Sequence, residues 1–341
     1  MATAPIKVLV VDDSAFARKV MRECLSAAGI EVVGIAGDGL EALEKIQQLA
    51  PDVVTLDLVM PNLDGLGVLK ALAGRTTPRV VVVSTSDQGT ELGMAALQAG
   101  AFEIVHKPTG LAVTQLYEVG EGLVEVVIAA ARASPRTAGL AVIRPAALKA
   151  QTMSRQLLVV GASTGGPQAL TLLVSSLPAN FPVPVAIVQH MPIGYTAPLA
   201  KHLDEVCALE VVEAAAGIAV EPGRVILARA GRHLKLTRAA GKLECRLDLL
   251  PLDGSFRPSV DVLFKSAAEV VGAHTLGLVL TGMGADGVEG AQAIHAAGGA
   301  ILTEAESSCV VYGMPRAVKE AGLSAAEASI EQMLQALTRF L

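Results

Sequence analysis

No apolar run in this 341-residue chain approaches the roughly 18 residues that a membrane-spanning helix needs. Stretches such as residues 80–83 and 157–160 are strand-sized, so no membrane insertion is expected even though 52% of residues are hydrophobic. A basic excess is missing too. Twenty-seven Lys and Arg stand against 33 Asp and Glu, a net charge of −6, which lacks the electrostatic footprint of phosphate-backbone binding and argues against nucleic acid as a partner. Cysteine is scarce: Cys24, Cys207, Cys245 and Cys309 are isolated, with no CxxC or Cys/His spacing for zinc. They read as small buried hydrophobes in a reducing compartment. Residues 1–7 carry no apolar h-region, so no secretory signal is visible and a cytoplasmic location is expected. Low-complexity tracts and short repeats are absent as well.

What is present is alternation. Short β-branched runs at residues 6–11, 31–36, 52–56, 79–83 and 102–105 predict strands, and residues 15–28, 39–48, 66–73, 91–99 and 111–131 repeat apolar positions at helical spacing. Strands apolar on both faces imply a parallel sheet with helices on each side, so residues 1–125 read as a five-stranded doubly wound, flavodoxin-like α/β domain. A linker over residues 126–153 follows, marked by Pro135, Gly139 and Pro145. Residues 154–341 read as a second, mostly parallel α/β domain. Its middle, residues 223–249, holds three short apolar segments between Gly-containing turns (224–228, 234–237 and 243–247), which predict an antiparallel hairpin insertion. A closing helix is expected over 329–341.

Asp12 and Asp13 directly follow the first expected strand and Asp57 follows the third, so a parallel sheet would gather three carboxylates at its carboxyl edge. Their mutual repulsion calls for a hard divalent cation such as Mg²⁺. Ser84 and Lys107 end the fourth and fifth strands, where a hydroxyl and an ammonium could hold the oxygens of a phosphoryl group on Asp57. Taken singly, Asp12 and Asp13 would be helix caps and Lys107 a loop lysine. Together, in VVDDS, TLDLVMPNLDG, VVVS and HKP, they make residues 6–123 closely resemble response-regulator receiver domains. That resemblance implies phosphorylation of Asp57 by a histidine kinase, with Mg²⁺ held by Asp13, Asp57 and the carbonyl of Val59. The chain departs from the family at Ile104, where an aromatic switch residue is frequent.

In the second domain, LLVVGASTGG places Ser163 between a buried strand and a helix, with Gly161, Gly165 and Gly166 allowing a sharp turn. The segment matches the GxSxG nucleophile elbow, although from these residues alone a structural or phosphate-binding turn is equally open. Of the six histidines, His190 ends a strand at the same carboxyl edge. The other five read as solvated imidazoles. Asp286, in LTGMGADG after another strand, supplies the carboxylate that would orient the imidazole; its alternative role is to cap the next helix.

GASTGG, QHMP, FRPSVDVLF and TGMGADG, in this order over residues 157–341, resemble the catalytic domain of CheB-type chemotaxis methylesterases. The resemblance implies a serine hydrolase acting on glutamate γ-methyl esters of chemoreceptors, with deamidation of glutamines as a second activity and no cofactor for the esterase. It further implies Ser163 as nucleophile, His190 as base and Asp286 as its partner, with the Met283 amide as oxyanion donor and Thr164 beside the nucleophile. Residues 257–261 are expected to shape the site, with a helix-capping role for Asp261 equally open. A competing reading takes Gly282, Gly284 and Gly287, with Glu304 about 20 residues on, as a dinucleotide fingerprint of an oxidoreductase. A receiver fused to a non-catalytic binding module is a third reading, but it leaves Ser163, His190 and Asp286 at three strand ends unexplained.

Overall fold

The computed structural model describes residues 5–75, 77–85, 90–107, 113–133, 155–252 and 256–341, with the side chains of 85 and 113–121 excepted. Two compact units result, Met1–Ala138 and Gly139–Leu341. The first unit runs β1 (Lys7–Val11), α1 (Ala15–Ala27), β2 (Glu31–Ala36), α2 (Gly39–Leu49), β3 (Val53–Leu56), α3 (Gly65–Ala71), β4 (Arg79–Thr85), α4 (Thr90–Gln98), β5 (Glu103–Lys107) and α5 (Val113–Arg132). The sheet order is β2-β1-β3-β4-β5 and every pairing is parallel. Val8 to Val11 of β1 and the whole of β3 are buried on both faces, which is why these strands read as unbroken apolar runs. Ser14, Asp38 and Asp64 cap α1, α2 and α3 through side-chain oxygens that accept from Ala17, Glu41 and Gly67 N–H.

The expected linker begins later than residue 126. Leu123, Val126, Val127 and Ala130 keep a buried stripe at helical spacing, and α5 continues on it to Arg132. Residues 134–153 of that linker, and Pro108 of the HKP motif, lie outside the described residues.

The second unit runs β6 (Leu157–Ala162), α6 (Gly166–Ser176), β7 (Val185–Gln189), α7 (Thr196–Val206), β8 (Glu210–Glu213), β9 (Arg224–Leu227), β10 (His233–Ala239), β11 (Lys242–Asp248), α8 (Val260–Val271), β12 (Thr275–Val279), α9 (Val288–Ala296), β13 (Ala300–Glu304), α10 (Met314–Glu320), β14 (Ala326–Ala328) and α11 (Met333–Thr338). Its seven-stranded sheet has the order β14-β13-β12-β6-β7-β9-β8, with parallel pairings throughout. The chain leaves β6 toward β7 and later returns to β12 on the other side of β6, so the strand order reverses between β6 and β12. Such a switch point opens a crevice at the carboxyl ends of the strands.

Residues 224–227 correct one expectation. They do not join the hairpin but form β9, inside the parallel sheet, because Val225, Ile226 and Leu227 are all fully buried. Among the described strands only β10 and β11 pair antiparallel, with one isolated antiparallel bridge from Ala219 to Glu244 of β11. Leu234, Leu236 and Cys245 are the buried face of that ribbon and pack with Leu263, Phe264 and Val271 of α8. The closing helix is shorter than expected: a 3₁₀ turn, Ile330–Gln332, precedes α11. Neither α10 nor the three-residue β14 is foreshadowed in the sequence, and the Ala-Glu-Ala of β14 carries no β-branched signal.

Candidate active site and acidic pocket

In the first unit the reversal falls between β1 and β3, and the three carboxylates meet there. Ligand oxygens of Asp12, Asp13 and Asp57 all lie within 4.8 Å of one another. Asp12 is fully buried and Asp57 nearly so, while Asp13 is exposed. Lys107, at the end of β5, donates to Asp12 Oδ2 at 2.6 Å and to Asp57 Oδ2 at 3.0 Å. Burial pushes the Asp12 carboxyl up from its ordinary value, although the Lys107 charge and hydrogen bond pull the other way. For Lys107, burial acts downward and its two carboxylate partners outweigh it, so the ammonium is held more firmly than usual. Arg18 grips the loop through the carbonyls of Asp12 and Asp13 at 2.6 and 3.0 Å. Ser84 is buried in β4, and the Val59 N–H reaches Asp57 Oδ1 at 3.3 Å. Clustered hard oxygens with more negative than positive charge around them suit Mg²⁺. Ile104 is a buried core residue.

In the second unit, Ser163 follows β6, His190 follows β7, and Asp286 lies in the loop between β12 and α9. These are three adjacent strands. Backbone bonds from Ser163 N–H to the Thr281 carbonyl, 3.1 Å, and from His190 N–H to the Ala162 carbonyl, 3.0 Å, extend the sheet register into the loops and hold them side by side. Gly165 turns the chain into α6 at φ +76°, a backbone that side-chain-bearing residues rarely adopt. Ser163 and Thr164 are buried at this turn. Met283 is half-buried in the loop after Gly282, whose N–H donates to the Val311 carbonyl and whose carbonyl accepts from Gly313 and Met314.

His190 Nε2 bonds Asp286 Oδ2 at 2.8 Å. Its other nitrogen, Nδ1, is buried and has no hydrogen-bond partner among the described residues. Asp286 does not cap α9, as its position in sequence suggested; the α9 cap position is Gly287, without a side-chain bond. The carboxylate turns instead to the N-terminus of α8, accepting from Val260 N–H at 2.7 Å, Asp261 N–H at 3.0 Å and Ser259 Oγ at 2.9 Å. Burial alone would raise its pKa, but the His190 hydrogen bond and charge and the α8 amides hold it well below the usual carboxylate range.

Three neighbours have roles that the sequence does not assign. Gln189, fully buried, donates through Nε2 to the carbonyls of Ser163 at 2.9 Å and His190 at 2.8 Å, locking the two turns together. Thr281 Oγ1 donates to the Thr164 carbonyl at 3.0 Å. Phe256 stacks on the His190 ring, with centroids 4.1 Å apart and planes at 6°. Each of the three opens one of the motifs QHMP, TGMGADG and FRPSVDVLF, but no local pattern announces these pairings. A cavity of about 550 Å³ opens beside this stack, lined by His190, Met191, Ile193, Phe256 and Arg257 among others. His233 corrects another expectation. It is buried rather than solvated, with Nε2 3.0 Å from the Pro251 carbonyl and its pKa pushed down by burial.

The acid that a dinucleotide reading needs beside the glycine-rich loop is engaged elsewhere. Glu304, which would have to reach a ribose, is fully buried and accepts from Thr281 N–H at 2.8 Å and Ser308 Oγ at 2.9 Å.

Comparison with known proteins decides the family. The CheB methylesterase family description matches residues 158–337, and that of the response regulator receiver domain matches residues 8–117. The chain belongs to the CheB methylesterase family. It is similar to the protein-glutamate methylesterase/protein-glutamine glutaminase 5 of Myxococcus xanthus, 59% identical with 98% of each chain covered. Against the protein of that activity from Symbiobacterium thermophilum it is 44% identical, covering 98% of this chain and 97% of the relative. The crystal structure of the Thermotoga maritima CheB methylesterase catalytic domain aligns with a TM-score of 0.54 at 38% identity, covering 55% of this chain and 99% of that one. A CheB methylesterase is a hydrolase, and its receiver domain brings phosphorylation control. The oxidoreductase reading finds no support. Among the described residues, no helix is long and apolar enough to cross a membrane.

Proposed function

We propose that this chain, working in the cytoplasm, hydrolyses glutamate γ-methyl esters on chemoreceptors and deamidates glutamines there. The reaction uses Ser163, His190 and Asp286 under the control of Asp57. The proposed division is a receiver domain that ends with α5 at Arg132 rather than at residue 125 and a catalytic domain over 154–341, joined by the segment between. The observation that carries the proposal is the His190–Asp286 hydrogen bond at the strand ends beside a serine turn. Ser163 Oγ attacks the ester carbonyl carbon as His190 Nδ1 takes its proton, while Asp286 keeps Nε2–H in place and stabilises the imidazolium. The oxyanion is met by the Met283 amide, with Thr164 beside it. The C–O bond to the methoxy group breaks, His190 returns the proton, and methanol leaves. Water, deprotonated by the same nitrogen, then releases glutamate and restores Ser163. The test is methanol release from a purified methylated chemoreceptor by the full-length chain. Release at the background rate would overturn the proposal.

Stacking of Phe256 on His190 limits ring rotation. Aromatic pairs contribute about 0.5–1.5 kcal/mol beyond burial, so Phe256→Ala is expected to lower kcat about 2- to 10-fold while Phe256→Tyr retains it. Steady-state methanol release from both variants checks this.

In the receiver, Asp13, Asp57 and the Val59 carbonyl would hold Mg²⁺, with Asp12 adding negative charge. When bound, the ion neutralises the carboxylates and the oxygens of an incoming phosphoryl group. An Asp57 carboxylate oxygen attacks the phosphorus of a kinase phosphohistidine as its P–N bond breaks and the kinase imidazole leaves, taking up a proton from solvent, while Ser84 and Lys107 hold the transferred oxygens. Asp13→Ala is expected to weaken Mg²⁺ binding by about 10-fold or more, measured by isothermal titration.

A further inference from the structure

Two helices at the active site exchange caps. Asp286, just before α9, binds the first N–H groups of α8. In return Asp261, in the first turn of α8, binds the start of α9. Its Oδ1 accepts from Gly287 N–H at 2.9 Å and from Gly290 N–H at 2.6 Å. Gly287 is the residue next to Asp286, so the backbone that carries this carboxylate is fastened to α8 at both its side chain and its neighbouring amide. Gly290 makes the exchange possible. A Cβ there would lie 3.0 Å from Asp261 Cα and 2.4 Å from Phe264 Cβ, so only glycine lets α9 come this close to α8.

We propose that Asp261 is a positioning residue for the esterase, holding Asp286 at the distance and angle that orient His190. A simple cap would not require so costly a group. Burial pushes the Asp261 carboxyl up to about 6, the Gly290 N–H opposes the rise, and the neighbouring Asp286 charge adds to it, with Lys265 opposing. Lys265 is itself paired with Glu289 of α9. Besides the Lys265 charge, what offsets that repulsion is the pair of backbone amide bonds Asp261 accepts, and both go to the Asp286 loop and the helix it enters. The arrangement also explains how a loop of three glycines can present a triad acid without wandering: misplacement of a reacting group by about 1 Å can cost on the order of 10²-fold in rate.

The inference rests on the esterase reading, and its test has arms that do not. In the full-length chain, Asp261→Ala is expected to lower kcat for methanol release about 10- to 100-fold with KM changed less than about twofold. It should also slow labelling of Ser163 by a fluorophosphonate by a similar factor and broaden or erase the downfield proton resonance of the His190 Nε2–H bonded to Asp286. Asp261→Asn, which retains an acceptor oxygen for Gly287 and Gly290, should restore most of the labelling rate and the resonance. Asp261→Ala added to Asp286→Ala should cost nothing further. If Asp261→Ala does not fold, Asp261→Ser, too short to reach α9, is measured in its place. Unchanged labelling and an unchanged resonance in these variants would overturn the proposal, as would losses that simply add to those of Asp286→Ala. A wild-type chain that labels at Ser163 but releases no methanol from receptors would refute the substrate assignment, and the labelling and resonance arms would still decide the role of Asp261.

Discussion

Ser163→Ala is expected to reduce methanol release by about 10⁴-fold or more while leaving the melting temperature nearly unchanged. The first half follows from chemistry: an alanine offers no atom to form the acyl-enzyme, and the positioned imidazole and amides then act only on water. The second follows from the turn itself. Ser163 is held by its backbone, through N–H to Thr281 and carbonyl to Gln189 and Gly166, so removing one oxygen leaves those bonds in place and changes stability by about 0.5 kcal/mol or less. His190→Ala should be nearly as damaging. The double variant should be little worse than either, because members of one proton-transfer unit fail together. Receptor hydrolysis by the Ser163→Ala chain at the wild-type rate would remove the serine from the mechanism. Losses that multiplied in the double variant would separate it from the histidine.

The residues at strand ends were legible in the sequence because a parallel sheet makes its own carboxyl edge, and any residue just after a β-branched run lands there. Asp12, Asp57, Lys107, Ser163 and His190 were readable for that reason. Gln189 and Phe256 were not, and Asp261 was readable only as a residue of a site-shaping segment or a helix cap, since their partners lie in segments far apart in sequence, where neither period nor spacing carries information. Asp286 is intermediate: its position after β12 was visible, but it looked equally suited to cap α9, and only the closeness of α8 shows which helix it serves. The misplacement of residues 224–227 has a similar origin. A short apolar run between glycines looks alike whether it borders a hairpin or lies inside a parallel sheet. What separates the two is burial on one face, as in β10 and β11, against burial on both, as in β9.

Asp57→Asn is expected to abolish phosphate uptake from a chemotaxis kinase or a small phosphodonor, and with it all stimulation of the esterase. The side chain is nearly buried, with Lys107 3.0 Å from Oδ2 and the Val59 N–H on Oδ1. An amide of the same shape keeps the packing but lacks the anionic oxygen that attacks phosphorus. Asp12 and Asp13 lie close by, yet neither is expected to substitute. Asp12 is fully buried and held by Lys107 on Oδ2 at 2.6 Å and by Ser14 N–H on Oδ1 at 2.9 Å, closer than the 3.0 and 3.3 Å contacts of Asp57, and Asp13 is exposed rather than enclosed. In the wild-type chain a phosphodonor with Mg²⁺ should raise methanol release by about 5- to 150-fold, the range that coupling free energies of about 1–3 kcal/mol allow. The Asp57→Asn chain should stay at its unstimulated rate with or without donor, and wild type without Mg²⁺ should match it. Because Ile104 stands where an aromatic switch is frequent, activation is expected toward the low end of that range. Mass spectrometry for phosphate and methanol release for activity, read on the same samples, test both halves. Phosphate on the Asp57→Asn chain would relocate the acceptor, and stimulation without phosphate would uncouple the receiver's chemistry from control of the esterase.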